Sequence, residues 1–296
     1  MRLYWTDEEN QKILKNKIAE ETWASFAARE MPHRTADAVR LHAIRYMGIK
    51  NSVATCRQHF FKKDRWKEQT PESCYWAGFL AADGCLIEYS PGRFSLALEL
   101  QKSDQDVLKR FSDFCEYSGP LQKERLKKLK NKDGFSITKS IRINCGTEWL
   151  EDLKNNFSIV PRKTHILQPP HIEDTFLIYC FLIGYIDGDG CIHRVESRNS
   201  VSLTVVSCSK EMGKWVQSHL DFLADGSQIK NKIRNGCAES RTYHTAFLNG
   251  NPACAVIDYL RNFPVPKLDR KWNSPEVISY IESQKSLYPE KFLSFP

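Results

Sequence analysis

The sequence holds no apolar run approaching the ~20 residues of a membrane-spanning helix, so the stretch 176–186 reads as a buried helix and no membrane partner is expected. No secretory leader is expected, because the N-terminus has Trp5 and the acidic run Asp7-Glu8-Glu9 within a few residues of Met1. None of the ten cysteines forms a C-x-x-C pair, which removes the usual zinc-ribbon and dithiol motifs. They are spread along the chain; four of them, Cys74, Cys85, Cys180 and Cys191, sit at matching places beside apolar residues and read as small buried hydrophobes of an intracellular, reducing compartment. No Cys or Ser starts the chain and no His-Asn pair ends it, so an intein origin is not expected. Net acidity is also missing. The formal charge is +7 and the pI about 8.8, which leans towards a polyanionic partner.

What the chain does have is a repeat. Residues 74–85 and 180–191 place Cys, Gly, Asp, Gly and Cys at the same five positions, on an otherwise apolar background. Each copy predicts an apolar helix ending in Asp-Gly. After each comes a hairpin (85–101 and 191–208), a helix (104–116 and 210–223), a second hairpin (120–144 and 228–248) and a helix (147–156 and 252–261). The fold class is therefore α+β, with the order αββαββα occurring twice and helices on one side of each antiparallel sheet. Small residues recur four apart, Gly78 with Ala82 and Gly184 with Gly188. Glycine inside a helix costs about 1 kcal/mol relative to Ala, and close approach of the two helices supplies the reason.

Such packing brings Asp83 and Asp189 together at two helix C-termini. The helix dipole and mutual repulsion both oppose charge there. A divalent cation relieves both, and Mg²⁺ suits one or two carboxylates completed by phosphate oxygens and water. Two equivalent acids about a pseudo-two-fold axis suit a nearly symmetric substrate such as a DNA duplex.

Residues 76–84 and 182–190 resemble the paired signatures of single-chain LAGLIDADG homing endonucleases, and the resemblance covers about residues 73–272. It implies a saddle of two sheets over double-stranded DNA and Mg²⁺-dependent, staggered cleavage of both strands at a long target, with two or more ions shared by the acidic residues. It implies Asp83 and Asp189 as catalytic, metal-binding residues. Asp187, replaced by Ala81 in copy one, reads as structural. Lys163 and Lys271 resemble the family's active-site lysines, which stabilise transition-state charge or polarise the attacking water; Lys267 is a rival to Lys271. A non-catalytic DNA-binding regulator and a maturase acting on group I intron RNA are the alternative functions. A monomer is expected, since one chain supplies both halves.

Alternation along the strands assigns faces. Phe94, Leu96, Leu98 and Leu100 face the helices, as do Val201, Leu203 and Val205. The open faces carry the expected DNA contacts: Arg93, Gln101, Lys102, Lys123, Arg125, Lys127 and Arg142 in repeat 1, and Ser202, Thr204, Lys210, Lys230, Lys232 and Arg234 in repeat 2.

Residues 1–50 predict three helices. Thr6 to Glu9 is a capping box opening a helix to about Lys17. A second covers about Glu21–Glu30. A third, capped by Thr35, stops at Gly48. With Trp5 and Trp23 this resembles a Myb/SANT-like helix-turn-helix module, although Ala43 stands where that family has a later Trp. Arg34, Arg40 and Arg45 are its expected DNA contacts. The expected boundaries are 1–50 for this module, 51–72 for a basic linker, 73–168 for repeat 1, 169–177 for the inter-repeat linker, 178–272 for repeat 2 and 273–296 for a C-terminal helix and tail.

Overall fold

The computed structural model describes residues 4–16, 22–49, 59–90, 92–128, 134–224, 234–238 and 241–292, with the backbone alone at 234–238, 241 and 242. The chain forms two compact units, 1–60 and 61–296.

In the first unit, α1 spans Asp7–Asn16, α2 Trp23–Glu30 and α3 Ala36–Arg45. The capping box is present: Glu9 N donates to Thr6 Oγ1 at 3.2 Å and Thr6 N to Glu9 Oε2 at 3.0 Å. Thr22 and Thr35 cap the next two helices, and Gly48 takes φ +65° beyond the third. Phe26, Val39 and Ala43 lie in a small core, so the position lacking Trp is filled by packing rather than left open.

Arg34 departs from expectation. It donates to both oxygens of Glu9, at 2.8 and 2.9 Å, and to Tyr4 O at 2.7 Å. It also lies over the Trp5 ring at 4.4 Å. With a side chain only 9% exposed, it ties the unit together rather than facing a ligand. Arg34 holds the Glu9 carboxyl down at about 2, from an ordinary 4.5, against the opposing effect of burial. A depressed carboxyl stabilises the fold above its unfolded value and loses that contribution as pH falls from 4.5 towards 2.

The second unit contains both repeats. Repeat 1 runs α4 (Pro71–Asp83), β1 (Gly84–Ser90), β2 (Arg93–Gln101), α5 (Gln105–Phe114), β3 (Arg125–Lys128), β4 (Phe135–Cys145) and α6 (Thr147–Phe157). Repeat 2 runs α7 (Thr175–Asp189), β5 (Gly190–Val195), β6 (Ser200–Ser207), α8 (Lys210–Leu223), β7 (Arg234–Ala238), β8 (Arg241–Asn249) and α9 (Asn251–Arg261). A short α10 (Asp269–Trp272) and α11 (Pro275–Leu287) follow. Each sheet has four antiparallel strands, in the orders β1-β2-β4-β3 and β5-β6-β8-β7. The α+β class and the doubled αββαββα order are as expected.

Residues 61–70, read as part of a linker, pack onto repeat 1. Trp66 is fully buried among Phe111, Phe114, Trp149 and Phe157. Trp149 Nε1 and Asn156 Nδ2 bond the carbonyls of Lys62 and Trp66 at 3.1 and 2.8 Å. Helix α4 then begins behind a Thr70–Ser73 capping box with Pro71 in its first turn.

Helices α4 and α7 pack backbone to backbone. A Cβ on Gly78 would lie 2.0 Å from the Phe181 carbonyl oxygen, and one on Gly184 would lie 1.9 Å from that of Tyr75. A Cβ on Gly188 would meet that of Ala82 at 2.2 Å. Among the described residues no helix is long and apolar enough to cross a membrane.

Gly184→Ala is expected to destabilise the second unit by about 3 kcal/mol, since the obstruction is backbone that cannot turn aside. Gly92→Ala, at φ +71° in open space, costs about 1 kcal/mol; urea denaturation compares them. In the first unit, Glu9→Gln is expected to cost about 1–2 kcal/mol at neutral pH, allowing for solvent screening. The difference shrinks as pH drops below 4.5, followed through the methyl resonances of Ile13 and Val39.

Candidate functional site

Asp83 and Asp189 are the last residues of α4 and α7. The glycines after them have φ of −74° and −96°, so they are not left-handed helix stops. They are required because a Cβ would fall 2.6 Å from Leu80 O at Gly84 and 2.5 Å from Ile186 O at Gly190. This tight exit turns the chain directly from helix into the first strand of each sheet and leaves both aspartates reaching solvent.

The two carboxylates stand in an unfavourable field. Surrounding protein raises the Asp83 pKa, against the pull of Lys271 and Lys163. Asp189 is pushed up to about 6, first by desolvation and then by the charge of Asp83. An anion pair coupled in this way, at two negative dipole ends and open to solvent, fits a divalent cation. No cluster of three or more His, Cys, Asp or Glu suited to a metal occurs among the described residues.

Lys163 and Lys271 do reach these helix ends. Lys163 Nζ donates to Gly84 O at 2.8 Å and Ala82 O at 3.5 Å. Lys271 Nζ donates to the carbonyls of Asp187 and Gly190, both at 2.6 Å, Ile186 at 3.0 Å and Gly188 at 3.4 Å. At 9% and 7% exposure, both lysines are buried at the helix ends, cap the last carbonyls and exert an attractive charge on Asp83 and Asp189. Lys267 instead bonds the carbonyls of Phe263 and Val265, which places Lys271 and not Lys267 on the helix end.

Asp187 is a different kind of acid. It is 2% exposed and accepts from Trp272 Nε1 at 2.7 Å, Tyr75 Oη at 2.9 Å and Leu268 N at 3.0 Å. Burial outweighs those donors and raises its pKa to about 6. Tyr75 belongs to repeat 1, so this carboxylate joins the repeats. A second joint is Arg270, which donates to Asp104 at 2.9 and 3.1 Å. Asp83, Glu99, Gln101, Asp104 and Arg270 line a cleft of about 390 Å³ at the foot of α4. Sequence reasoning missed Tyr75, Trp272, Asp104 and Arg270; the available signal was an acidic residue, Asp187, inside an apolar helix.

On the sheets, Phe94, Leu96, Leu98, Leu100, Val201, Leu203 and Val205 are buried as expected. Arg93, Gln101, Lys123, Arg125 and Arg142 are exposed, and Thr204 is partly so. Lys102 and Lys127 pair with Glu124 at 3.0 Å and Glu99 at 2.9 Å. Lys210 is exposed at the start of α8. Ser202 is a correction: at 4% exposure it is buried. Its place on the central strand β6, between His193 and Asn249, explains this. Ser95, its counterpart in repeat 1, is buried in the same way. In the first unit Arg40 bonds Asp37 and Arg45 is exposed. Lys230 and Lys232 lie outside the described residues, as does the side chain of Arg234.

No protein-family model matches the chain, and no curated protein does. Solved structures with a similar fold include the LAGLIDADG meganuclease I-CpaMI bound to uncleaved DNA, at 12% identity and TM-score 0.42, over 75% of this chain and 95% of that one. Another is the LAGLIDADG homing endonuclease I-GzeII in complex with its DNA target, at 10% identity and TM-score 0.42, over 76% and 93%. A third is the N-terminal LAGLIDADG domain of WhiA, at 11% identity and TM-score 0.41, over 74% and 94%. Similarity of this degree leaves the chain's own geometry as the basis for function.

Asp187→Ala is expected to cost about 3 kcal/mol, because it strands three buried donors. Asp187→Asn, which can still accept from two of them, costs less. Chemical denaturation of the two variants checks the order.

Proposed function

We propose that the chain is a site-specific DNA endonuclease that hydrolyses one phosphodiester bond in each strand of a long duplex. The observation that carries this reading is the pair of equivalent, electrostatically coupled carboxylates at adjoining helix ends, each followed directly by a strand whose sheet leaves one face open. Asp83 and Asp189 would hold two or more Mg²⁺ ions together with phosphate oxygens. The ions supply Lewis-acid stabilisation and an activated water.

The chain's own residues do the rest. The close contact of α4 and α7 fixes the spacing of the two acids. Lys163 and Lys271 act as positioning residues: by capping the terminal carbonyls they hold the helix ends in place and keep positive charge near the carboxylates. Arg93, Gln101, Lys102, Lys123, Arg125, Lys127 and Arg142 in one repeat, and Thr204 and Lys210 in the other, supply phosphate and base contacts. Lys230, Lys232 and Arg234 extend the second set. The first unit adds DNA contacts through Arg40 and Arg45 as a helix-turn-helix-type module, and the protein works as a monomer.

The test selects DNA from a random duplex library and exposes the winning site to Mg²⁺. Wild type is expected to cut both strands. Asp83→Asn and Asp189→Asn are expected to bind with little change and to lose double-strand cleavage by at least about 10³-fold. Full cleavage by either variant sinks the assignment. Binding by wild type without cutting across several divalent metals would favour a regulator, or a maturase on group I intron RNA.

A further inference from the structure

The two repeats can be aligned through their strand ladders, and the alignment exposes a difference on the open faces. Gly84, which follows Asp83, pairs with Leu98. Gly190, which follows Asp189, pairs with Val205. Glu99 and Val206 are the next residues on the central strands, so they occupy equivalent places one step from the acidic helix ends. Leu98 and Val205 are buried towards the helices, so Glu99 and Val206 point to the opposite, open face.

Their surroundings diverge too. Glu99 is paired in register with Ser140 and accepts from Thr138 Oγ1 at 2.5 Å, with Lys127 Nζ at 2.9 Å. Val206 is paired with Thr245, and two residues back Thr204 is paired with Phe247. The matching pair in repeat 1 is Ala97 with Arg142. At this position repeat 1 thus presents a charged, hydrogen-bonded carboxylate where repeat 2 presents the methyl groups of Val206. Val206 is 40% exposed, which leaves a β-branched apolar side chain facing solvent near the end of the central strand β6. Hydrophobic burial does not explain it, and its strand partner is a threonine with a methyl of its own.

In the major groove the apolar feature of a base edge is the 5-methyl group of thymine, met by small apolar groups and threonine methyls. Accepting the DNA-cleaving reading above, on which this step rests, the geometry points to Val206 as a specificity-determining residue that packs, beside Thr245, against a thymine methyl. That thymine lies in the half-site under repeat 2, within the first few base pairs of the cleavage positions. The equivalent base pair under repeat 1 meets Glu99 and is read through hydrogen bonds. The target is therefore asymmetric at this step.

The experiment uses the full chain and its selected duplex, without divalent metal so that binding is measured free of cutting. Each thymine is replaced singly by deoxyuridine, which lacks only the methyl. Wild type is expected to lose about 3- to 10-fold in affinity at one inner thymine, the scale of burying one methyl group or slightly more. Val206→Ala is expected to bind with equal affinity whether that position holds thymine or deoxyuridine, while sensitivities elsewhere in the site persist. The proposal is overturned if no inner thymine responds, or if Val206→Ala keeps the full response. Failure to select any duplex at all would instead defeat the DNA-cleaving reading itself.

Discussion

The second unit depends on one contact, the approach of α4 to α7 across Gly78 and Gly184. At these positions each helix lies so close to a main-chain carbonyl of the other that no side chain fits between them. Interhelical distance follows from the side chains at the crossing, so removing them draws the axes together and fixes where the helices end. The aspartates inherit their juxtaposition from this packing. They are not brought together by any attraction of their own, since the charge of Asp83 disfavours that of Asp189.

That arrangement concentrates unfavourable electrostatics at one point. Two carboxylates meet two negative dipole ends, and a third carboxylate is buried two residues upstream of Asp189. The relief is spread over the surrounding chain. Lys163 and Lys271 cap the carbonyls, Tyr75, Trp272 and the Leu268 amide hold Asp187, and Arg270 joins Asp104 across the repeats. These groups come from segments after the last helix of each repeat or from the opposite repeat. The site is therefore complete only when both halves are folded. Under the proposed function this cost leaves a cation something to relieve, because a pair already neutralised by its own protein would gain little from binding one.

Features that depend on local chemistry were legible in the sequence. The doubled Asp-Gly motif, the four-residue spacing of small residues, the strand alternation around Leu96 and Leu203, and the Thr6–Glu9 capping box all follow from rules that operate within a few residues. Tertiary choices were not. Arg34 looked free for a ligand because nothing nearby in sequence shows that Glu9 and the Trp5 ring claim it. Ser202 had the right parity for an open face, but parity does not show that a central strand is shaded by its neighbours. Trp66 sat among basic residues that resemble a linker, while its partners Phe111 and Trp149 lie far along the chain. The competition between Lys267 and Lys271 needed the backbone trace, since the turn after α9 decides which ammonium meets the helix end.

The same physical division explains how the repeats have diverged. Where they touch, a change in one must be met by the other, and the glycines, the acids and the capping lysines are present in both. Ser95 and Ser202 also match beneath the open faces, next in register to Asn144 and Asn249. One same-face step nearer the acids the match ends, with Arg142 against Phe247, and a second step brings Glu99 against Val206. Those positions lie outside the contact of α4 with α7, so the packing of the two helices does not fix their identity. A doubled fold acting on an exactly symmetric ligand would have no use for such differences. The chain keeps its symmetry where the two halves pack and at the paired acids, and loses it on the open faces of the sheets.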